Sequence, residues 1–79
     1  MVYIYQVRIY EKFLYGIGEE DTILKEELFY SDYQKLFNYL RLNLYERKSG
    51  KELIGVGDSE LWERDYRYEV RVYKRSVEG

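Results

Sequence analysis

The chain has 79 residues, a mass of 9.8 kDa and a formal charge of −2, which suits a single domain over residues 1–79 with one core and no linker. It contains neither cysteine nor histidine, so disulfide frameworks, thiol nucleophiles, the commonest general base and the commonest zinc ligands are excluded. No apolar run approaches the ~18 residues that cross a bilayer, and the N-terminus lacks the order of a signal peptide. We therefore expect a soluble cytoplasmic protein with no membrane partner, no metal or other cofactor and no small-molecule substrate.

The composition is rich in tyrosine and in charged residues. Eleven residues are tyrosine, proline and alanine are absent, and eleven glutamates outnumber four aspartates. Many charged residues and few thermolabile ones are typical of hyperthermophile proteins, so we expect a thermophilic archaeal source or one of its viruses, with the host cytoplasm as the location in the second case. An AT-rich genome is the alternative explanation, because it also depletes alanine and proline and enriches tyrosine.

The first predicted element is a strand over residues 2–13, where β-branched and aromatic residues alternate with polar ones. The next residues, LYGIGEED, predict a turn because they combine two glycines with acidic side chains. Residues 22–30 are ambiguous between strand and helix, and we favour a strand because a separate helix start follows. One predicted face of the first strand carries Tyr3, Tyr5, Val7 and Ile9, and the other carries Gln6, Arg8, Tyr10 and Lys12.

The residues SDYQ at 31–34 predict the start of a helix. Ser31 is placed to cap the first amides, and Gln34 to reach back to the Ser31 amide. The segment ERKSG at 46–50 predicts the end, with basic residues in the last turn and Gly50 at the left-handed C′ position. The predicted helix therefore covers residues 32–48. Its apolar stripe is formed by Tyr33, Leu36, Phe37, Leu40 and Leu44.

Three segments follow the predicted helix. KELIGVGD at 51–58 predicts a short strand, SELWERD at 59–65 a polar connection, and YRYEVRVYKR at 66–75 a closing strand. The predicted fold is α+β with the order β-β-α-β-β: one four-stranded, mostly antiparallel sheet with a single helix packed on one face. In the closing strand, Tyr66, Tyr68, Val70 and Val72 are predicted to share one face, and Arg67, Glu69, Arg71, Tyr73 and Arg75 the other.

Two octapeptides, YIYQVRIY at 3–10 and YRYEVRVY at 66–73, follow one pattern. Their Tyr-Tyr-Val-Ile/Val halves match in size and order, so we expect both to pack under the helix, with the two strands side by side in the middle of the sheet. Their other halves would then form a basic patch with aromatic rings on the uncovered face. Charge supports this segregation, because residues 1–12 carry +1, residues 66–75 carry +3 and residues 13–65 carry −5. The candidate partner-binding or nucleic-acid-binding residues are Arg8, Tyr10, Lys12, Arg67, Arg71, Tyr73 and Arg75.

An uncovered face of tyrosine and arginine favours recognition of a protein partner, because both types are enriched at interface hot spots. The sequence thus predicts a small non-enzymatic interaction protein that is homo-oligomeric, and the expected protein partners include a second copy of the chain in a homodimer. A small, acidic, tyrosine-rich domain of this kind resembles, in type only, the accessory proteins of viruses. The alternative is a single-stranded nucleic-acid-binding protein, with rings stacking on bases and arginines meeting phosphates. Ordinary cross-strand pairs on a solvated sheet would also explain the pattern.

Trp62 has two interpretations, a lid on the edge of a small core, which we favour, or an exposed anchor for a partner. Catalysis is disfavoured. The similar loops GIGEED and GVGDSE lack the lysine and serine of a phosphate loop and the spacing of a calcium loop, and turn chemistry explains both. The adjacent carboxylates of Glu26 and Glu27 would point to opposite faces of a strand.

Overall fold

The computed structural model describes the backbone of residues 2–15, 19–50 and 57–77, and the side chains of the same ranges apart from residues 14–15 and 19–20. Within these ranges the protein is one antiparallel sheet and one helix, and no helix is long and apolar enough to cross a membrane. The elements in chain order are β1 (Val2–Tyr15), β2 (Glu19–Tyr30), α1 (Tyr33–Leu42), β3 (Glu46–Ser49), β4 (Ser59–Arg64) and β5 (Tyr68–Val77).

The sheet has five strands in the order β2-β1-β5-β4-β3. The α+β class with a single helix is confirmed, whereas the predicted number of four strands is wrong. The two strands that carry the octapeptides are neighbours, as predicted, with Val7 opposite Val72 and Ile9 opposite Val70. They resemble one another because they pack against the same helix from adjacent positions in the sheet.

The core lies between α1 and the face of the sheet that the helix covers. Val7 and Ile9 of β1 and Val70 and Val72 of β5 are buried there, together with Trp62 of β4. Their partners on the other side are Leu36 and Leu40 of the helix and Tyr45, which follows it. The predicted apolar stripe is confirmed for four of its five residues, Tyr33, Leu36, Phe37 and Leu40, but Leu44 is exposed.

The helix ends earlier than the sequence pattern indicated. Leu44 adopts a left-handed conformation with φ of 65°; its amide donates to the Arg41 carbonyl at 3.1 Å, and the Tyr45 amide donates to the Leu40 carbonyl at 2.9 Å. These are the two hydrogen bonds of a Schellman motif, whose C′ residue is ordinarily glycine. The predicted end at Gly50 is therefore wrong, because Leu44 takes the C′ position instead.

The helix start is confirmed, with a different cap from the one predicted. Asp32, rather than Ser31, is the N-cap residue, and its carboxylate accepts a hydrogen bond of 2.9 Å from the Gln34 amide. An aspartate at this position stabilises the helix by pairing an otherwise unsatisfied amide and by its favourable charge beside the N-terminal dipole.

The segments around β3 and β4 differ from the prediction. Residues predicted to complete the helix form β3, and the predicted polar connection at 59–65 forms β4. Most of the strand predicted at 51–58 lies outside the described residues. The pattern in β4 was misleading because Glu60 looked like a solvent-exposed residue, whereas Glu60 and Trp62 alternate inward into the core.

A bulge between β1 and β2 decides which side chains of β2 face away from the helix. Ile9 is opposite Glu26, but the next residue, Tyr10, is opposite Leu24, so Lys25 is the extra residue. A bulge of this kind reverses the side-chain alternation along the strand. Without it, Leu24 would lie on the same face as the helix.

Candidate functional site

The candidate site is the face of the sheet opposite α1, which we call the open face. The strand registers place alternate residues of β1, β5, β2 and β4 on it. Its members are Gln6, Arg8, Tyr10 and Lys12 from β1, Glu69, Arg71, Tyr73 and Arg75 from β5, Thr22, Leu24, Glu27 and Phe29 from β2, and Ser59, Leu61 and Glu63 from β4.

The structure brings six of the seven candidate binding residues together on the open face. Arg8 lies directly opposite Arg71 in the sheet, and Gln6 lies opposite Tyr73. The Arg75 side chain donates from Nε to Oε1 of Gln6 at 3.2 Å, and its guanidinium carbon lies 4.8 Å from the centroid of the Tyr73 ring. The neighbouring strands β1 and β5 therefore place Arg8, Tyr10, Arg71 and Tyr73 of the two octapeptides on one continuous surface.

Arg67 does not join this surface, so its predicted placement beside Arg71 is wrong. Its Nε donates to Oε2 of Glu11 at 2.9 Å, and its guanidinium lies over the Tyr68 ring at 5.7 Å. Glu11 and Tyr68 are opposite one another on the face that carries the helix. The cause is local: β5 begins only at Tyr68, and Tyr66 and Arg67 belong to the turn before it.

Tyr66, which the alternation placed under the helix, is also in this turn and is exposed. The strand-like pattern extends two residues beyond the strand itself. Sequence alternation alone cannot detect this, because the turn residues continue the same aromatic and basic sequence.

The open face is a set of ion pairs, whereas the sequence predicted a basic patch. Arg8 lies 3.0 Å from Glu27, and Arg71 lies 2.8 Å from Glu69. Lys12 lies 3.2 Å from Glu63 and 3.9 Å from Glu69. The carboxylates of Glu27 and Glu63 come from the flanking strands, which the charge counts by segment had treated as a separate acidic region.

These contacts further favour the charged form of both arginines, which an arginine side chain keeps at any ordinary pH. The Tyr10 hydroxyl and then the Glu27 carboxylate raise the pKa of Arg8. The Glu69 carboxylate, with a smaller contribution from the Tyr73 hydroxyl, raises the pKa of Arg71. Each arginine of the central pair is thus paired with a carboxylate, which restrains its position on the face.

Apolar and aromatic groups lie among these ion pairs. Leu24 and Phe29, both on β2, are 48% and 57% exposed. Nearer the centre, a shallow depression of about 320 Å³ is lined by residues of three strands. The lining residues are Tyr10, Thr22, Glu69, Arg71 and Tyr73.

Trp62 is 1% exposed, so it belongs to the core, as favoured, and presents no anchor to a partner. Its indole Nε1 donates to Oε1 of Glu60 at 3.0 Å. The other carboxylate oxygen of Glu60 accepts from the Tyr33 hydroxyl at 2.6 Å and from the Arg47 guanidinium at 3.2 Å. Burial and then the hydrogen bond to Glu60 raise the pKa of Tyr33 far above its ordinary value.

This buried carboxylate network was not found from the sequence. The available signal was the spacing of Glu60 and Trp62 in SELWER. In a strand, residues two positions apart point to the same face, so both side chains point inward if this segment is a strand. All three donors of the network point at one carboxylate, which is the arrangement that makes a buried charge tolerable. Through Tyr33 and Arg47 the network joins the helix and β3 to β4, on the side of the sheet away from the open face.

A second depression, of about 220 Å³, lies beside the turn between β4 and β5. Leu44 and Tyr66 line it, and both are among the most exposed large side chains of the described residues. Neither was a candidate in the sequence analysis. Among the residues that the structure describes, no group of three or more acidic side chains is placed to hold a metal ion.

Comparison of the chain with models of known protein families, with curated proteins and with solved structures finds no match in any of the three.

Proposed function

We propose that this protein is a non-enzymatic interaction module that recognises a protein partner, including a second copy of itself, through the open face. The observation that carries the proposal is a sheet face that no described element covers, on which aromatic and apolar side chains lie among paired charges. Tyr10 and Tyr73 line the depression on this face, and Leu24 and Phe29 extend the apolar surface along β2, at the edge of the sheet.

The chemistry of this face suits a protein surface. Tyrosine and arginine are the residue types that anchor protein interfaces, because they combine a large contact area with directional hydrogen bonds. Arg8 and Arg71 are already paired with carboxylates, so these side chains lose little conformational freedom when a partner binds. The entropy lost on association is therefore smaller.

Binding of single-stranded nucleic acid is the second candidate, favoured by the stacking of Arg75 on Tyr73 at 4.8 Å. The charge of the face weighs against it. On β1, β2, β4 and β5 the open face carries four cations, Arg8, Lys12, Arg71 and Arg75, and three carboxylates, Glu27, Glu63 and Glu69, which leaves one net positive charge. Glu46 of β3, the register partner of Glu63, adds a further carboxylate to the same face. A polyanion site requires an excess of cations to replace the counterions that it releases.

The proposed function is tested with the double variant Tyr10→Ala/Tyr73→Ala. Wild type and double variant are immobilised and exposed to an extract of the source cells. Each protein that the wild type retains is purified and titrated by calorimetry against the wild type and against the double variant. We expect affinity for the partner to fall by at least about tenfold in the double variant, since both rings are central to the face. Tyr3→Ala is the matched control, because Tyr3 lies on the face of β1 that carries the helix and contacts Lys74.

Equal affinity of wild type and double variant for every purified partner would contradict the proposal. The same variants serve the alternative. Binding of single-stranded oligonucleotides that weakens steeply with salt, and that is lost with Tyr73→Ala or Arg71→Ala, would replace protein recognition with nucleic-acid recognition as the function.

A further inference from the structure

Leu44 carries an exposed side chain on a backbone conformation that disfavours it. It occupies the C′ position of the helix with φ of 65°, and its side chain is 77% exposed. A left-handed conformation is unfavourable for a residue with a Cβ, and glycine is the usual solution at this position. Leucine gains little packing here to offset the strain.

Tyr66 repeats this combination in the turn between β4 and β5. Asp65 and Tyr66 both have φ of 56°, and the Arg67 amide donates to the Arg64 carbonyl at 3.1 Å. Two successive left-handed residues closed by this hydrogen bond are typical of a type I′ turn, which favours Asn-Gly. Tyrosine stands in the glycine position, and its side chain is 86% exposed.

The two strained residues meet at one place. Leu44, Asp65 and Tyr66, which we call the turn cluster, all line the depression of about 220 Å³. The other described positions with positive φ, at residues 50 and 57, are both glycine. Strained backbone that presents exposed side chains is a feature of recognition sites, where the fold tolerates an unfavourable conformation because the side chain is used.

The depression is also lined by Glu46, Lys48 and Glu63, and these charges are paired within the chain: Lys48 lies 3.3 Å from Glu46, and Lys12 lies 3.2 Å from Glu63. The turn cluster itself presents apolar groups beside an acid. Its neighbouring cation, Arg64, is engaged within the chain: the guanidinium donates to the Asn43 carbonyl at 2.9 Å and lies over the rings of Tyr45 and Tyr68. Asp65 forms no ion pair with any residue that the structure describes. The partner surface that complements the cluster is therefore aromatic and carries a cation.

The open face has this chemistry. Its depression of about 320 Å³ lies between Tyr10 and Tyr73, and small clefts of this size hold a ligand group. Beside it, the Arg75 guanidinium donates to a neutral amide, that of Gln6. The cleft between the two tyrosines offers a place for the Tyr66 ring, and Arg75 offers a cation to Asp65, which has no ion-pair partner among the described residues.

We propose that the occupant of the open face is a second copy of this chain, which inserts its turn cluster between Tyr10 and Tyr73. This inference rests on the proposed function and names the partner. The contact joins two different surfaces, the turn cluster of one copy and the open face of another. If two copies make both contacts with each other, the result is a two-fold dimer; if each copy contacts two different neighbours, the result is a chain of copies.

The test uses two variants that each damage one surface. In the cluster variant, Leu44→Gly/Tyr66→Gly, glycine suits both backbone conformations, so we expect a folded protein with an unchanged or higher melting temperature. In the face variant, Tyr73→Ser/Arg75→Glu, both changes lie on the open face. Sedimentation velocity is measured for the wild type, for each variant alone and for their equimolar mixture.

We expect the wild type to associate in a concentration-dependent way, each variant alone to weaken association by at least about tenfold, and the mixture to recover association between unlike copies. Recovery is the specific result, because each variant keeps the surface that the other lacks. A monomeric wild type, or a mixture that stays monomeric while both variants are folded, would overturn the inference. A face variant that associates normally and still binds the purified partner would instead overturn the proposed function.

Discussion

At the scale of single residues, Glu11 is the acid whose ionisation depends most clearly on the fold. Burial opposes its charge, but Lys25 at 3.3 Å and Arg67 at 2.9 Å outweigh that effect and lower its pKa. A lowered folded-state pKa stabilises the protein above the pKa of the unfolded chain. That stabilisation is lost as the pH falls through the folded-state pKa.

We therefore expect Glu11→Gln to lower the melting temperature at pH 7 and to lower it less at pH 3, which is below the ordinary carboxyl pKa of 4.5, so that part of this stabilisation is already lost. Thermal unfolding followed by circular dichroism at both pH values measures this difference. Glu26→Gln is the control, because Glu26 is an exposed carboxylate on the neighbouring strand. An effect of Glu11→Gln that is equal at pH 7 and pH 3 would show that the ion pairs contribute nothing.

Glu60 makes the second prediction at this scale. Its carboxylate accepts hydrogen bonds from Tyr33, Arg47 and Trp62. Glu60→Ala leaves these donors without their acceptor, and we expect the free energy of unfolding to fall by about 3 kcal/mol. Urea denaturation measures it, with Ser59→Ala as the exposed neighbour that should change stability by less than about 0.5 kcal/mol. Equal stability of the two variants would mean that the network is not formed.

At the scale of elements, the end of the helix predicts that changing either of two nearby leucines to glycine changes the free energy of unfolding, in opposite directions. Leu44 is left-handed, whereas Leu42 is the last residue of α1, and both are exposed. We expect Leu44→Gly to raise the free energy of unfolding by about 1 kcal/mol, because it removes the strain of a Cβ in that conformation. We expect Leu42→Gly to lower it by about 1 kcal/mol, because glycine weakens a helix.

Chemical denaturation of the two glycine variants checks this pair directly. The same exposed residue type is changed to glycine two positions apart, so differences in buried apolar area are small. Destabilisation by Leu44→Gly would contradict the strained left-handed end of the helix, and with it one of the two observations on which the turn cluster depends.

Some elements could be predicted from the sequence because one local signal determines them. The octapeptides alternate strongly enough to indicate two strands that pack under the helix, and the start of the helix carries a capping pattern. The end of the helix could not be predicted, because Gly50 offers the usual C′ residue while Leu44 adopts that conformation against its preference. Strand β4 was missed because Glu60 is a charged residue whose burial depends on distant donors.

The candidate site was predictable only in part, for a related reason. Arg8, Tyr10, Arg71 and Tyr73 share a face because β1 and β5 alternate regularly and pair with each other. The acids that neutralise them come from β2 and β4, and their placement depends on strand register and on the bulge at Lys25. Arg67 was misplaced because the turn before β5 continues the same sequence pattern without the strand geometry.

At the scale of the whole molecule, the part of the chain that the structure describes forms two layers, with one helix covering one face of the sheet. The core and the Glu60 network lie on the covered side, whereas the paired arginines and the rings of Tyr10 and Tyr73 lie on the other. A fold this small buries a limited apolar area, so covering the open face with a second copy would also stabilise each copy by mass action.

The main proposal is that the open face contacts protein partners, among them a second copy of the chain. Amide chemical shifts of isotope-labelled wild type, recorded over a concentration series, test it most directly. We expect concentration-dependent shifts in residues 6–12 and 69–75, with matching shifts at the turn cluster and little change along α1. Shifts confined to α1 or to the outer edge of β2, with the open face unchanged at all concentrations, would contradict it.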